Sequence, residues 1–309
     1  MNLKQAHYVR TIAQCGSITA AAKKLYVSQP SLSQMLRQIE DEIGLPIFDR
    51  SVSPFRITYA GEKYLEAAET ILSASAQLEN QLREIRNDHS GRLRLGISVT
   101  RSMQVLPLVL PIFSQRYPGV ILELTERGSA GLEELLAKGE IDLALAAITT
   151  DSTNMAYELI EKETIGILAG RDSAIAKRIP SGTPITMREV KDETFVSLAP
   201  SHSSRLIQDR LFHRNNVAPK ILLETNALEV GRRVALDAGV CMVLPNIYID
   251  DYVRAKRGCF YPIADYENHR HFYACYRKDE FLPRYARDFI AITTRILDRE
   301  RERERIYQI

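Results

Sequence analysis

Apolar residues over the first sixty positions recur at helical spacing. Leu3, Ala6, Val9, Ile12 and Ala13 share one stripe of a first helix, which Gly16 ends because glycine tolerates positive φ. Ser17 suits the N-cap of a short second helix, ITAAAKKL, whose Ala21 and Ala22 let another helix approach closely. Ser28 caps a third helix, with Pro30 in its first turn, where a missing N–H costs nothing. Leu32, Leu36, Ile39 and Ile43 form the apolar stripe of that helix, and Gly44 followed by Pro46 stops it. Residues 47–50 and 55–58 are β-prone runs around a Ser/Pro turn, which predicts a two-stranded wing after the helices.

A second pattern occupies residues 59–88. Tyr64, Ala68, Ile71, Ser75, Leu78, Leu82 and Ile85 alternate steps of four and three, a heptad seam on one long helix. The seam can pack on the chain's own domains or on a second copy, and spacing alone leaves both open. Residues 87–91, NDHSG, are expected to break this helix as a hinge. From residue 92 strand-like runs (RLRLGIS, VILELTE, IDLALAAI, TFVSLAP, KILLET, CMVLPN) alternate with helical ones, the first over about 103–117. That alternation predicts an α/β fold with largely parallel sheets and ligand crevices beyond the strand ends. The expected organisation is therefore a helix-turn-helix domain over 1–58, a linker helix over 59–88 and a two-lobed α/β domain over 92–309. Lobe I would comprise 92–162 and 266–309, lobe II 163–265, with a cleft between them. The closing DRERERERI reads as a solvated helical tail.

Composition narrows the class without naming it. The 309 residues are 45% hydrophobic and 26% charged with a net charge of +2, a soluble globular profile. Residues 1–58 hold seven Lys or Arg against four Asp or Glu, so the N-terminal piece is the basic one. Cys15, Cys241, Cys259 and Cys275 form no CxxC pair and no ligand spacing, which suits free thiols in a reducing cytosol. No signal-peptide pattern opens the chain and no apolar run approaches the ~20 residues of a membrane span, so a cytoplasmic location is expected. There is no GxSxG, HExxH, phosphate-cradling glycine loop or Cys/His ligand set. Catalytic residues, metal and cofactor are thus not expected, although an α/β enzyme with an appended DNA-binding module stands as the alternative.

The polar face of the third helix is unusual for a solvated surface. Ser31, Ser33, Gln34, Arg37 and Gln38 stand where Glu and Lys are common. A helix entering a DNA major groove needs such groups: Gln pairs bidentately with adenine, Ser with either partner, and Arg with guanine or phosphate. Gln29 and Ser31 lie at the helix N-terminus, whose free N–H groups attract phosphate. Lys23 and Lys24 suit backbone contacts, and Arg50 and Arg56 on the wing suit the flanking backbone or minor groove. In the α/β portion, Ser98, Thr100 and Arg101 follow one strand, Ser129 opens a helix, and Ser203 and Thr225–Asn226 open two more. Each hydroxyl reads locally as a helix cap; together, at strand-to-helix turns on both sides of one cleft, they make a candidate anion site.

The run SITAAAKKLYVSQPSLSQMLRQIEDEIGLPIFDR…RITYAGEKYL resembles the N-terminal signature of LysR-type transcriptional regulators, nearly continuously over about 65 residues. The resemblance implies a winged helix-turn-helix that binds partly palindromic promoter DNA as a homodimer or homotetramer joined through the linker helix. It makes Gln29, Ser31, Ser33 and Gln34 the base-reading positions, with Pro30 among the DNA-binding residues and Arg37, Arg50 and Arg56 nearer phosphates. It also implies a two-lobed effector domain resembling periplasmic binding proteins, which takes a small-molecule effector, often an anion, at Ser98, Thr100, Arg101, Ser129, Ser203, Thr225 and Asn226. Such a regulator would work beside RNA polymerase.

Overall fold

Local capping starts and stops the first three helices. The computed structural model describes residues 1–52, 54–85, 90–148, 152–200, 202–264, 266–267 and 270–307, the backbone alone at 80, 83–85 and 303–307. The Asn2 side chain accepts from the Gln5 amide while the Gln5 side chain accepts from the Asn2 amide, and this reciprocal cap opens α1 (Leu3–Cys15). Gly16, at φ +59°, closes it. Ser17 caps α2 (Ile18–Lys24), and Ser28 caps α3 (Gln29–Ile43) by accepting from the Ser31 amide. Strands β1 (Phe48–Asp49) and β2 (Arg56–Ile57) pair antiparallel as the wing, followed by α4 (Tyr59–Ile85). Val9, Ile12, Ala21, Leu32, Leu36 and Ile39 form one core with Phe48 of the wing and Tyr64 and Ala68 of α4. Ile43 departs from its predicted stripe: it lies one turn beyond Ile39, the last residue the bundle covers, and is 40% exposed.

The rest of the chain builds two five-stranded sheets. The elements run β3 (Ser90–Ile97), α5 (Val99–Arg116), β4 (Gly119–Glu126), α6 (Ser129–Ala137), β5 (Leu143–Ile148), β6 (Met155–Lys162), β7 (Ile165–Ala169) and α7 (Ala174–Arg178). They continue through β8 (Thr194–Leu198), α8 (Ser203–Arg214), β9 (Lys220–Thr225), α9 (Leu228–Asp237), β10 (Cys241–Pro245) and α10 (Asp251–Ala255). β11 (Cys259–Pro262), β12 (His271–Arg277) and α11 (Arg284–Tyr307) complete the order. One sheet has the order β4-β3-β5-β12-β6 and the other β11-β7-β10-β8-β9. The chain leaves the first sheet through residues 163–164 and returns to it at Arg270.

Several details differ from the sequence reading. The sheets are mixed rather than largely parallel: β7 is antiparallel to β10 and β11, and β12 is antiparallel to β5 and β6. Hydrophobic runs covered on both faces look the same in either direction, so the pattern could not tell them apart. Helix α5 begins at Val99 instead of near 103 and continues through Pro107 and Pro111. Ser90 and Gly91, expected in a hinge, open β3 paired with Gly119 and Val120, whereas residues 87–89 lie outside the described residues. The supposed solvated tail is the last stretch of α11, and Arg301 within it reaches Glu161 at 3.6 Å.

Candidate functional site

Burial divides α3 into two faces. Leu32, Leu36 and Ile39 are covered, while Gln29, Pro30, Ser31, Gln34 and Arg37 are exposed and Ser33 is half-buried. Lys23 and Lys24 are exposed in the last turn of α2, with Lys24 donating to Gln14 Oε1 at 3.3 Å, and Arg56 is exposed on the wing. Gln38 is engaged along the helix with Glu42. Arg50 differs from expectation. Its guanidinium is ion-paired with Glu40, the carboxylate that also accepts from the Ile47 amide at 2.9 Å. Arg50 therefore ties the wing to α3 and does not stand free for a phosphate. Sequence reading passed over Tyr26, in the turn before α3, which is 97% exposed and holds φ +55°. An aromatic residue in the left-handed region costs on the order of 1 kcal/mol, and only its backbone geometry marks it.

The second region is a cavity of about 370 Å³ between the two sheets. Four helix N-termini converge on it: Ser98, Gly128, His202 and Ala227, the N-caps of α5, α6, α8 and α9, all line the wall. None of the four makes a side-chain capping bond, whereas the N-cap side chains of α1, α2, α3, α7 and α10 do. Uncapped first-turn N–H groups carry partial positive charge and seek an acceptor. Ser98, Thr100, Arg101, Ser129, Ser203 and Asn226 line this cavity; Thr225 does not. The Thr225 hydroxyl accepts from the Ala227 amide at 3.1 Å and so serves the turn itself. Ser129 donates to the Ala147 carbonyl at 2.9 Å. Apolar wall comes from Val99, Met103, Leu132, Leu145, Leu228 and Phe272.

Arg101 is not a free cation. It is buried, donates to Glu161 at 2.6 Å and Glu163 at 3.2 Å, and lies 3.9 Å over the Phe272 ring. Glu163 also pairs with Arg270, whose Nε donates to Ser203 Oγ at 3.2 Å. The floor of the cleft is thus a buried ion cluster at the two crossings of the chain. Glu161, Glu163, Arg270 and Phe272 escaped the sequence reading because their partners are 60 or more residues away, and ion pairs at that separation leave no periodic trace. Tyr248, buried on the same wall, has its hydroxyl pKa raised by burial. Among the described residues, no cluster of three or more His, Cys, Asp or Glu is arranged to hold a metal ion, and no helix is long and apolar enough to cross a membrane.

Comparison with known proteins agrees with this division. Residues 3–62 match the family model for bacterial regulatory helix-turn-helix proteins of the lysR family, and residues 86–297 match the LysR substrate binding domain. The chain is 30% identical to the Hca operon transcriptional activator HcaR of Escherichia coli over 295 residues, covering 94% of this chain and 97% of HcaR. It is also 30% identical over 227 residues to the regulator BsdA of Bacillus subtilis, covering 72% and 77% of the two chains. Among solved structures, a full-length single-residue variant of OxyR from Pseudomonas aeruginosa superposes with a TM-score of 0.69 at 23% identity, covering 96% of this chain and 95% of that one. CbnR complexed with its target DNA superposes with a TM-score of 0.62 at 20% identity, covering 96% and 99%. With both family domains present in order and relatives named as transcriptional regulators and activators, the chain belongs to the LysR family of DNA-binding transcriptional regulators and is not an enzyme.

Proposed function

We propose that this protein binds promoter DNA as a homo-oligomer, with α3 in the major groove, and that a small molecule bound in the cleft sets its grip on that DNA. In this reading Gln29, Ser31, Ser33 and Gln34 meet base edges, Pro30 shapes the first turn, and Lys23, Lys24, Arg37 and Arg56 meet phosphates. Arg50 acts one step removed, by holding the wing. The protein works in the cytoplasm beside RNA polymerase. Self-association through α4 is supported by the second half of its seam. Tyr64 and Ala68 are buried in the chain's own core, but Ile71, Leu78 and Leu82 are 37%, 56% and 47% exposed, an apolar edge that a second copy would cover.

One observation carries the effector reading: four uncapped helix N-termini, two from each sheet's helices, meet in one cavity. Their amides favour a ligand with oxygen acceptors at both ends, an organic or inorganic anion in the simplest case, and the apolar wall favours a carbon skeleton between them. Arg101 and Arg270 contribute field, balanced by Glu161 and Glu163, while the amides and the hydroxyls of Ser98, Thr100, Ser129 and Ser203, with Asn226, supply contacts. Thermal melting of the full chain against small carboxylates, aromatic acids, amino acids and oxyanions tests this, because a ligand of the native state raises the midpoint by mass action. A concentration-dependent rise with one acidic class is expected. A flat response across all classes, or a rise only with cationic compounds, would overturn it.

A further inference from the structure

We propose that β12 carries the state of the cleft to the linker helix, with Arg277 as the contact that delivers it; this rests on the effector-cleft reading and adds the route by which that cleft acts. One end of the strand belongs to the cleft. Arg270, the residue before it, bonds to Ser203 of α8 across the cavity, and Phe272 lies under the Arg101 guanidinium. The other end belongs to the linker. Arg277, the last residue of β12, donates from Nη2 to Ser73 Oγ on α4 at 2.9 Å and is ion-paired with Glu280, whose carboxylate also accepts from Ser73 Oγ at 3.4 Å. Ser73 is 5% exposed, so this is a packed contact between the regulatory α/β portion and the helix that follows the DNA-binding fold.

The fit at that contact is close. Gly139 sits beside it at φ +72°, and a Cβ there would press on Arg277 Nη1 and fall 2.7 Å from Ser73 Oγ. Only a residue without a side chain leaves the guanidinium its place. Between the two ends the strand is stiff. It pairs with β6 along its whole length, with one register shift between Phe272 and Tyr273, and with β5 over His271–Cys275, and Phe272, Ala274 and Cys275 are buried. Seven residues at ~3.4 Å each span about 20 Å. A strand bonded on both edges over five of its seven residues, on one edge to its end, and packed on both faces shifts as a unit. Movement of lobe II relative to lobe I turns the chain at Arg270, where it re-enters the first sheet. That rotation reaches Arg277 without passing through a loop. The geometry therefore supplies a physical element that both sites bias, which a coupling route requires.

Hydrogen–deuterium exchange of the α4 segment 66–77 in the full chain tests the route without needing the effector. The cleft end is perturbed by Gln104→Ala with Ser203→Ala; Gln104 Nε2 donates to the Ile247 carbonyl at 3.0 Å, so the pair removes two contacts between the lobes and no charge. The linker end is perturbed by Arg277→Ala, or by Ser73→Ala, which removes the same hydrogen bond from the helix side and keeps the test readable should Arg277→Ala not fold. Arg277→Ala is expected to speed exchange over 66–77 at least threefold. The cleft pair is expected to change that exchange in the parent chain and to have no further effect once Arg277 or Ser73 is replaced. Unchanged linker exchange in the cleft variant, or an equal change with and without Arg277, would overturn the proposal. A coupled pattern in a chain that takes no small molecule in the melting screen leaves the strand's role standing and removes the effector reading alone.

Discussion

Replacing Arg101 with Ala separates a structural ion cluster from a simple ligand receptor. In the native chain Arg101 is 6% exposed at its side chain and faces Glu161, 11% exposed, and Glu163, fully buried. Removing the cation leaves Glu163 with Arg270 but leaves Glu161, among the described residues, with Arg301 at 3.6 Å, itself 34% exposed. Stripping one partner from a buried pair costs about 3–5 kcal/mol, because the remaining charge stays desolvated. For a domain of this size about 1 kcal/mol shifts the midpoint ~2–4 °C, so the α/β transition should fall by roughly 6–20 °C. Arg92→Ala is the control: Arg92 and Glu123 are 59% and 43% exposed, and a surface pair contributes about 0–1 kcal/mol. Scanning calorimetry of both variants at neutral pH reads both expectations. A loss at Arg101 no larger than at Arg92 would refute the buried-cluster argument.

Other expectations follow from the same geometry. Gln34→Ala should cost ~1–3 kcal/mol on the cognate site and relax base preference, whereas Arg37→Ala should lower the salt slope by about 1 on all sequences; titrations at several salt concentrations distinguish them, and identical behaviour of the two would show the face is misassigned. Ser28→Ala removes the α3 N-cap and should cost ~1 kcal/mol in the N-terminal transition, read by urea unfolding followed by circular dichroism; no loss would deny the cap a role. Glu69 on α4 has its carboxyl pushed from near 4.5 up to about 7 by burial, by the charge of Glu140 and by a hydrogen bond to it, against the pull of Lys138 and Arg10. A raised carboxyl means the packed linker prefers the neutral acid, so its docking is fullest below about 4.5 and weakens as pH rises through 7. Exchange of α4, corrected for intrinsic rates, should therefore quicken from about pH 5 to 8 and lose that dependence in Glu69→Gln; an unchanged pH profile in the variant would assign the effect elsewhere.

What the chain declares of itself depends on the range of each interaction. Gly16, Ser17, Ser28 and Gly44 act within three or four residues, so α1 to α3 were legible to the turn. The serines at strand-to-helix turns were legible as positions, since the α/β pattern places those turns at one edge of a sheet. Their condition was not. That Ser98 makes no cap bond and that Thr225 turns inward to its own loop depend on the final packing. Arg50 shows the same limit: a wing arginine looks fit for DNA until Glu40, ten residues back, is seen to hold it. The cluster of Arg101, Glu161, Glu163 and Arg270 unites segments that are remote in the chain, and Arg301 joins it from a stretch whose alternating charges look purely solvated. Site chemistry here is tertiary, while the scaffold that presents it is local.

The most direct test of the account is selection of genomic fragments by the full chain at fixed salt, followed by sequencing, beside the Gln29→Ala/Gln34→Ala double variant. The native protein should enrich a partly palindromic motif with half-sites about one helical turn or a multiple of it apart, and the variant should lose that enrichment while keeping salt-dependent, sequence-independent binding. The same motif enriched equally by the variant, or none enriched by the native chain, would contradict the assignment of the exposed α3 face to base reading.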